Sequence, residues 1–401
     1  MGREEDPAGR GGRAAFLLDR RNIVDVVVIG AGAVGAACAY FAARAGLTVH
    51  VVERDGIASG TTSAGEGNVL VSDKEAGPEL DLALYSHAVW GELAEFGPLW
   101  ELEEKGGLVV ASTEAGAAAL EALAVRQRDA GIDVVDVDPE ELPTYEPHIS
   151  RDLRAGAFYP QDAQVQPMLL AAELLRLARD LGATVTTDCP VLGVTRTGSR
   201  ITGVRTSRGE IAAGAVINAA GTWAGAIAEL AGVHLPVLPR RGFVLVTEPL
   251  PVTIRHKVYA GEYVANVLSS DEALQTSPVI EGTPSGTVLI GSSRERVGFD
   301  RTVSLPVLRE LARGAIRLFP VLAEVRALRS YLGFRPYCPD HLPIVGADPR
   351  APGLWHAAGH EGAGIGLSVG TAKLLVQAIR GEPTDLDLRP FRPDRFDGAP
   401  A

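Results

Sequence analysis

Three cysteines, Cys38, Cys189 and Cys338, are all that 401 residues contain, and no two of them form a CxxC pair. That scarcity excludes a disulfide framework and argues against a self-contained iron–sulfur cluster or a cysteine-based zinc site. It suits a reducing compartment, and a cytoplasmic setting is expected. Lysine is nearly as rare: Lys74, Lys105, Lys257 and Lys373 are the only four among 38 basic residues. Acidic residues number 50, and the net charge of −12 argues against nucleic acid or an anionic membrane surface as a partner. Long apolar runs are also few. Val26–Ala43 is uncharged for 18 residues, and Arg20-Arg21 ahead of it mimics a twin-arginine signal. Asp25 interrupts its start, however, and Gly30, Gly32 and Gly35 break its middle. The run therefore reads as a strand and a helix and not as an integral membrane segment. Residues 1–22 form a polar, Gly/Arg-rich extension without a signal-peptide core of their own. No metal site is expected, because Gly364 stands where an HExxH motif beginning at His360-Glu361 needs its second histidine.

Glycine, in contrast, is abundant at 46 residues, with no collagen-like period. Such an excess points to tight turns and to backbone approaching a ligand closely. Ile23–Ile29 is a β-branched run typical of a strand buried on both faces. It leads into Gly30-Ala31-Gly32-Ala33-Val34-Gly35, a GxGxxG, then a helix through Ala45 and a second strand, Leu47–Val52, ending in Glu53. The acid lies 18 residues past the last glycine. Strand, glycine turn, helix and acid together make a dinucleotide-binding fingerprint. Gly30 permits the turn, Gly32 admits a pyrophosphate to the backbone, and Gly35 lets helix and sheet pack closely. The helix N-terminus, with Ala33 and Val34, offers free N–H groups to phosphate. Glu53 would accept hydrogen bonds from ribose hydroxyls and repel a 2′-phosphate, which disfavours NADP.

FAD and NAD both satisfy that unit, and the residues beyond Glu53 favour FAD. Arg54 comes next to the acid, and Thr61-Thr62-Ser63 and Ala64-Gly65-Glu66-Gly67-Asn68 could line a longer cofactor. Val216–Trp223 is an apolar strand ending in the small residues Ala220 and Gly221. Asp188-Cys189-Pro190-Val191 reads as the end of another strand, where backbone can meet adenine. No second GxGxxG with a following acid appears, so a separate NAD domain is not expected. Late in the chain, Gly333–Gly346 (GFRPYCPDHLPIVG) precedes a short strand, Leu354–Ala358. Gly359-His360-Glu361-Gly362-Ala363-Gly364-Ile365-Gly366-Leu367 then opens a helix to about Arg380. Four glycines before a helix make a cradle of N–H groups suited to the negative charge of a reduced flavin.

GAGAVG with Glu53, GFRPYCPDHLPIVG and AAGHEGAGIGL together resemble the D-amino acid oxidase superfamily of flavoproteins, which includes glycine and sarcosine oxidases. The resemblance runs from about Ile23 to Phe396. Residues 66–84, 106–111, 289–300 and 359–367 most resemble the flavoprotein β subunits of D-hydroxyproline dehydrogenase, opine oxidase and hydrogen cyanide synthase. The resemblance implies noncovalent FAD, because Cys338 directly precedes Pro339-Asp340, unlike the linking cysteine of some sarcosine oxidases. It implies that Arg335 grips a substrate carboxylate, a task suited to a guanidinium fork. Tyr259 and Tyr263, four apart on an expected strand and so on one face, are candidates to cover the substrate, with core or rim packing as the alternative. His360 and Glu66 are candidate polar groups near the flavin.

The implied activity is oxidation of the C–N bond of a small amino or imino acid by hydride transfer to flavin N5, as a dehydrogenase. Its electrons would pass to partner subunits carrying an iron–sulfur centre. An oxygen-using oxidase and a non-catalytic FAD-binding subunit are the alternatives. The expected fold class is α/β, or α+β taken whole: a Rossmann-like FAD-binding domain (23–90, 160–232 and 332–392) interleaved with an antiparallel-sheet substrate domain (91–159 and 233–331). Residues 393–401 form a tail.

Overall fold

The computed structural model describes residues 23–261 and 269–397. Two eight-stranded sheets dominate it. In the first, the strand Ile23–Ile29 pairs in parallel with Val49–Val52 on one side and with Gly209–Asn218 on the other. Leu354–Ala358 and Thr184–Thr186 extend the parallel array outward, and Ile344–Ala347 closes one edge antiparallel. An antiparallel hairpin, Val191–Thr197 and Arg200–Thr206, leads into the first half of Gly209–Asn218. Val26, Val27 and Val28 are fully buried, as a strand covered on both faces requires.

The helix Ala33–Arg44 is half alanine and buried over nearly its whole length. Its small side chains let it pack between the helices Pro167–Asp180 and Gly364–Ile379. The stretch Glu361–Ile379 is long and apolar enough to cross a membrane by length and composition, with a mean hydropathy of 1.3, yet 61% of it is buried inside the fold. It is a core element, covered by Ala33–Arg44 and Pro78–Glu92.

The second sheet runs in the order Ala327–Tyr337, Leu238–Thr247, Val288–Arg294, Gln275–Gly282, Lys257–Ala260, Gly107–Ala111, Ala155–Tyr159, Val135–Val137. The helix Leu305–Leu318 covers part of it with Val307, Leu308, Leu311, Ala315 and Leu318, the one-sided spacing of an amphipathic helix. The mixed α/β fold agrees with expectation, with three local corrections. The second sheet is not wholly antiparallel, because Lys257–Ala260 pairs in parallel with Gly107–Ala111. Asp188–Val191 does not end a strand: one strand stops at Thr186 and Val191 opens the next. Residues 332–337 belong to the second sheet, because Ala327–Tyr337 runs unbroken through the position expected to divide the layers.

Candidate active site

A cavity of about 390 Å3 lies between the sheets, reaching from Glu53, Arg54 and Val191 to Arg335 and the turn before Gly364–Ile379. At its first end Gly30 has φ +109°, and a Cβ there would sit 2.5 Å from Ala219 O. Gly30, Gly32, Ala33 and Val34 line the cavity. Gly35 does not; it faces the carbonyl of Gly30 so closely that no side chain fits. Ala33 N–H donates to Thr62 Oγ1 at 3.0 Å, and Gly32 caps the helix with no side chain of its own. Helix N–H groups beyond the cap lack intrahelical acceptors, so they suit an anion.

Glu53 lines the cavity, and both its oxygens accept backbone N–H bonds: Oε2 from Ala31 at 2.8 Å and Oε1 from Asp55 at 3.0 Å. A carboxylate has about four lone-pair sites, so capacity for a ribose hydroxyl is left. The Arg54 guanidinium lies 3.8 Å over the Trp223 ring, which stacks on Phe299 at 5.4 Å. Thr61, Ala220 and Gly221 line the middle. Thr61 and Thr222 both donate to Phe334 O, at 2.7 and 2.8 Å, and so fix the strand that carries Arg335.

At the far end Gly359, His360, Gly362, Gly364 and Ile365 line the wall, with a helix N-terminus behind them. His360 is buried with Nε2 3.1 Å from Thr371 Oγ1. Burial lowers its pKa to about 4, so it is a neutral ring near neutral pH. Arg335 enters the cavity beside Gly242 and Gly362, and its Nη1 donates to Ser293 O at 2.9 Å. Glu66 also faces the cavity; it is buried, and its Oε1 has no hydrogen-bond partner among the described residues.

Other candidates lie elsewhere. Tyr259 is fully buried, donates its hydroxyl proton to Ser72 Oγ and does not line the cavity; burial raises its pKa well above the usual value. Tyr263 lies outside the described residues. Ser63 turns its hydroxyl back to Gly60 O at 3.1 Å, and Ala363 faces away from the cavity. Cys338 is buried off the cavity wall, and burial pushes its thiol pKa up. Among the described residues no cluster of His, Cys, Asp or Glu could hold a metal ion.

The sequence reading missed Gly242 and Gly333, which face each other across paired strands at the cavity, where a side chain at Gly242 would displace Arg335 and one at Gly333 would displace Ala64. A lone glycine inside a strand pattern is the signal that could have found them.

A nucleotide-type strand–turn–helix opening on a long cavity, with a second sheet over its far end, defines a dinucleotide-binding protein. The glycine cradle and the helix N-termini at both ends fit FAD. Consistent with this, the sequence matches the family DAO, FAD dependent oxidoreductase, over residues 25–378. The chain belongs to this family. It is 30% identical over 420 residues to hydrogen cyanide synthase subunit HcnC of Pseudomonas aeruginosa, covering 94% of this chain and 97% of that one. It is 32% identical over 384 residues to glycine oxidase of Geobacillus kaustophilus, covering 93% and 97%. The crystal structure of glycine oxidase from Geobacillus kaustophilus superposes with a TM-score of 0.85 at 29% identity, covering 93% of this chain and 99% of the other. FAD is the family's cofactor.

Proposed function

We propose that this chain oxidises the C–N bond of a small amino or imino acid as an FAD-dependent dehydrogenase. One observation carries the reading: the Arg335 guanidinium, a group suited to a carboxylate, stands in the cavity beside the glycine turn at Gly362. Bound FAD supplies the two-electron acceptor. Arg335 holds the carboxylate and orients the molecule, and the roof strand at Gly242 and Val244 excludes water from it. The first sheet is read as the FAD-binding domain and the second as the substrate domain, with the chain working in the cytoplasm.

Two features support noncovalent FAD. Cys338 is off the cavity wall, and His50 is held by Thr186 with Nε2 2.9 Å from Oγ1. Acid precipitation should therefore release all the yellow colour to the supernatant, and flavin left in the pellet contradicts the reading.

Anaerobic bleaching of the flavin against a panel of D- and L-amino acids, imino acids and opines tests the substrate class. HcnC is by name a subunit, which supports partner subunits for this chain, and the family resemblance implies that these take the electrons through an iron–sulfur centre. On that reading turnover with an artificial dye exceeds peroxide production in air. The match to a glycine oxidase favours the second reading, an oxygen-using oxidase, and peroxide formed as fast as dye is reduced would establish it.

A further inference from the structure

Glu66 stands out among the polar groups facing the cavity. It is 7% exposed, and its Oε1 accepts no hydrogen bond from any described residue. A buried carboxylate oxygen in that state costs free energy until a donor or a cation reaches it. The surroundings add more negative charge. Glu281 is fully buried, its pKa is raised by burial and also by Glu66, and its own Oε1 has no hydrogen-bond partner among the described residues. Lys257 Nζ is engaged by Glu281 Oε2 at 2.7 Å and by Asn68 Oδ1. Lys105 Nζ sits on Gly282 O at 2.6 Å and near Glu103.

The backbone around Glu66 is fixed. Gly67 has φ +95° and is pressed against Val165 O, while Val165 N–H donates to Gly67 O at 3.0 Å. The carboxylate is held flush against Gly291, where any Cβ would overlap Oε1. Two residues along the same strand, Ser293 O accepts the bond from Arg335 Nη1. Residues two apart are separated by at most about 7 Å. A carboxylate and a guanidinium thus face one cavity from neighbouring points of one strand.

We propose that Glu66 receives the substrate's amino group while Arg335 receives its carboxylate. The two then select primary or secondary α-amino acids over acids that lack the nitrogen. This rests on the amino-acid reading above and assigns the nitrogen end of the same site. A 2-hydroxy acid of equal shape brings no positive charge to Glu66, and an N-acyl amino acid brings only a neutral amide N–H.

The test compares two ligands on the anaerobic holoenzyme. One is an amino acid that reduces the flavin, its affinity taken from the saturation of the reduction rate. The other is the corresponding acid without the nitrogen, its affinity read from the change in flavin absorbance on binding. Glu66→Gln should weaken the amino acid by about 10- to 100-fold and the nitrogen-free acid by less than about twofold. Equal loss for both ligands makes Glu66 a structural residue and overturns the assignment, as does no loss for either. Should the Gln variant not retain FAD, Glu66→Asp keeps the charge and draws it back by one methylene. It should give the same pattern with a smaller loss. If no amino or imino acid reduces the wild-type flavin, the amino-acid reading falls and the Glu66 role with it. If the wild type is reduced and the variant keeps the wild-type ratio of affinities, only the Glu66 role falls.

Discussion

Replacing Arg335 with alanine lowers kcat/KM for a carboxylated substrate by about 30- to 1000-fold. A partly buried, charge-assisted fork contributes roughly 2–4 kcal/mol once the carboxylate left unpaired is counted. At about 1.4 kcal/mol per factor of ten, that converts to the stated range. FAD stays bound, because the strand carrying Arg335 is fixed through Phe334 O by Thr61 and Thr222, which the substitution leaves in place. Arg335→Lys recovers only part of the loss, because a point charge lacks the fork. Anaerobic rapid mixing with the same amino acid reads both variants, and a wild-type rate and affinity in Arg335→Ala removes the clamp from the mechanism. Two other arginines near the cavity roof are already committed. Arg240 is held by Glu361 at 3.4 Å and Ser269 O at 2.8 Å, and Arg241 by Glu295 at 2.9 Å and Asp300 at 2.7 Å.

Gly35→Val produces protein that purifies without its yellow colour. Gly35 faces the Gly30 carbonyl too closely for any side chain, and the whole first turn of Ala33–Arg44 must move to admit one. Overpacking of this kind costs about 1–3 kcal/mol. Here the displacement falls on the N–H groups that face the cavity. FAD affinity should drop by roughly 5- to 150-fold, and the stabilisation that bound cofactor gives the fold drops with it. Flavin-to-protein absorbance after purification and a thermal melt with added FAD check this. A variant with full FAD content shows that the helix can shift without disturbing the cradle.

Gly35→Val tests an element that was legible in the residues themselves, and the reason is locality, whereas the role of Arg335 came from the family resemblance. Strand, glycine turn, helix and acid occupy some thirty consecutive residues, and each constraint on them is short-range: a positive φ at Gly30, a close packing at Gly35, a carboxylate at the end of the second strand. The turn at Gly359–Gly364 is local in the same way. Tyr259 shows the opposite case. Its place on a strand was readable, but which side of the strand faces the cavity depends on pairing with Gly107–Ala111, some 150 residues away. That pairing sends its hydroxyl to Ser72. Gly242 and Gly333 were obscure for a related reason, since neither glycine has meaning until the register sets them opposite each other. Glu66 was visible only as a polar residue in a glycine-rich loop. The missing partner at Oε1 depends on Gly291 and on the burial that two sheets impose.

The path of the chain through the two sheets has a consequence for how the protein is made. It leaves one sheet for the other after Val49–Val52, Ala155–Tyr159, Gly209–Asn218 and Ala327–Tyr337. The central strand Ile23–Ile29 is therefore made long before Leu354–Ala358, the parallel neighbour of its partner. The cavity wall is also unfinished until Ile365 has been added. Both sheets close through pairings between distant parts of the chain, and pairings this distant form slowly and leave strand edges open in the meantime. The complete FAD site therefore exists only once both distant pairings have formed, and FAD that binds it then stabilises them by mass action.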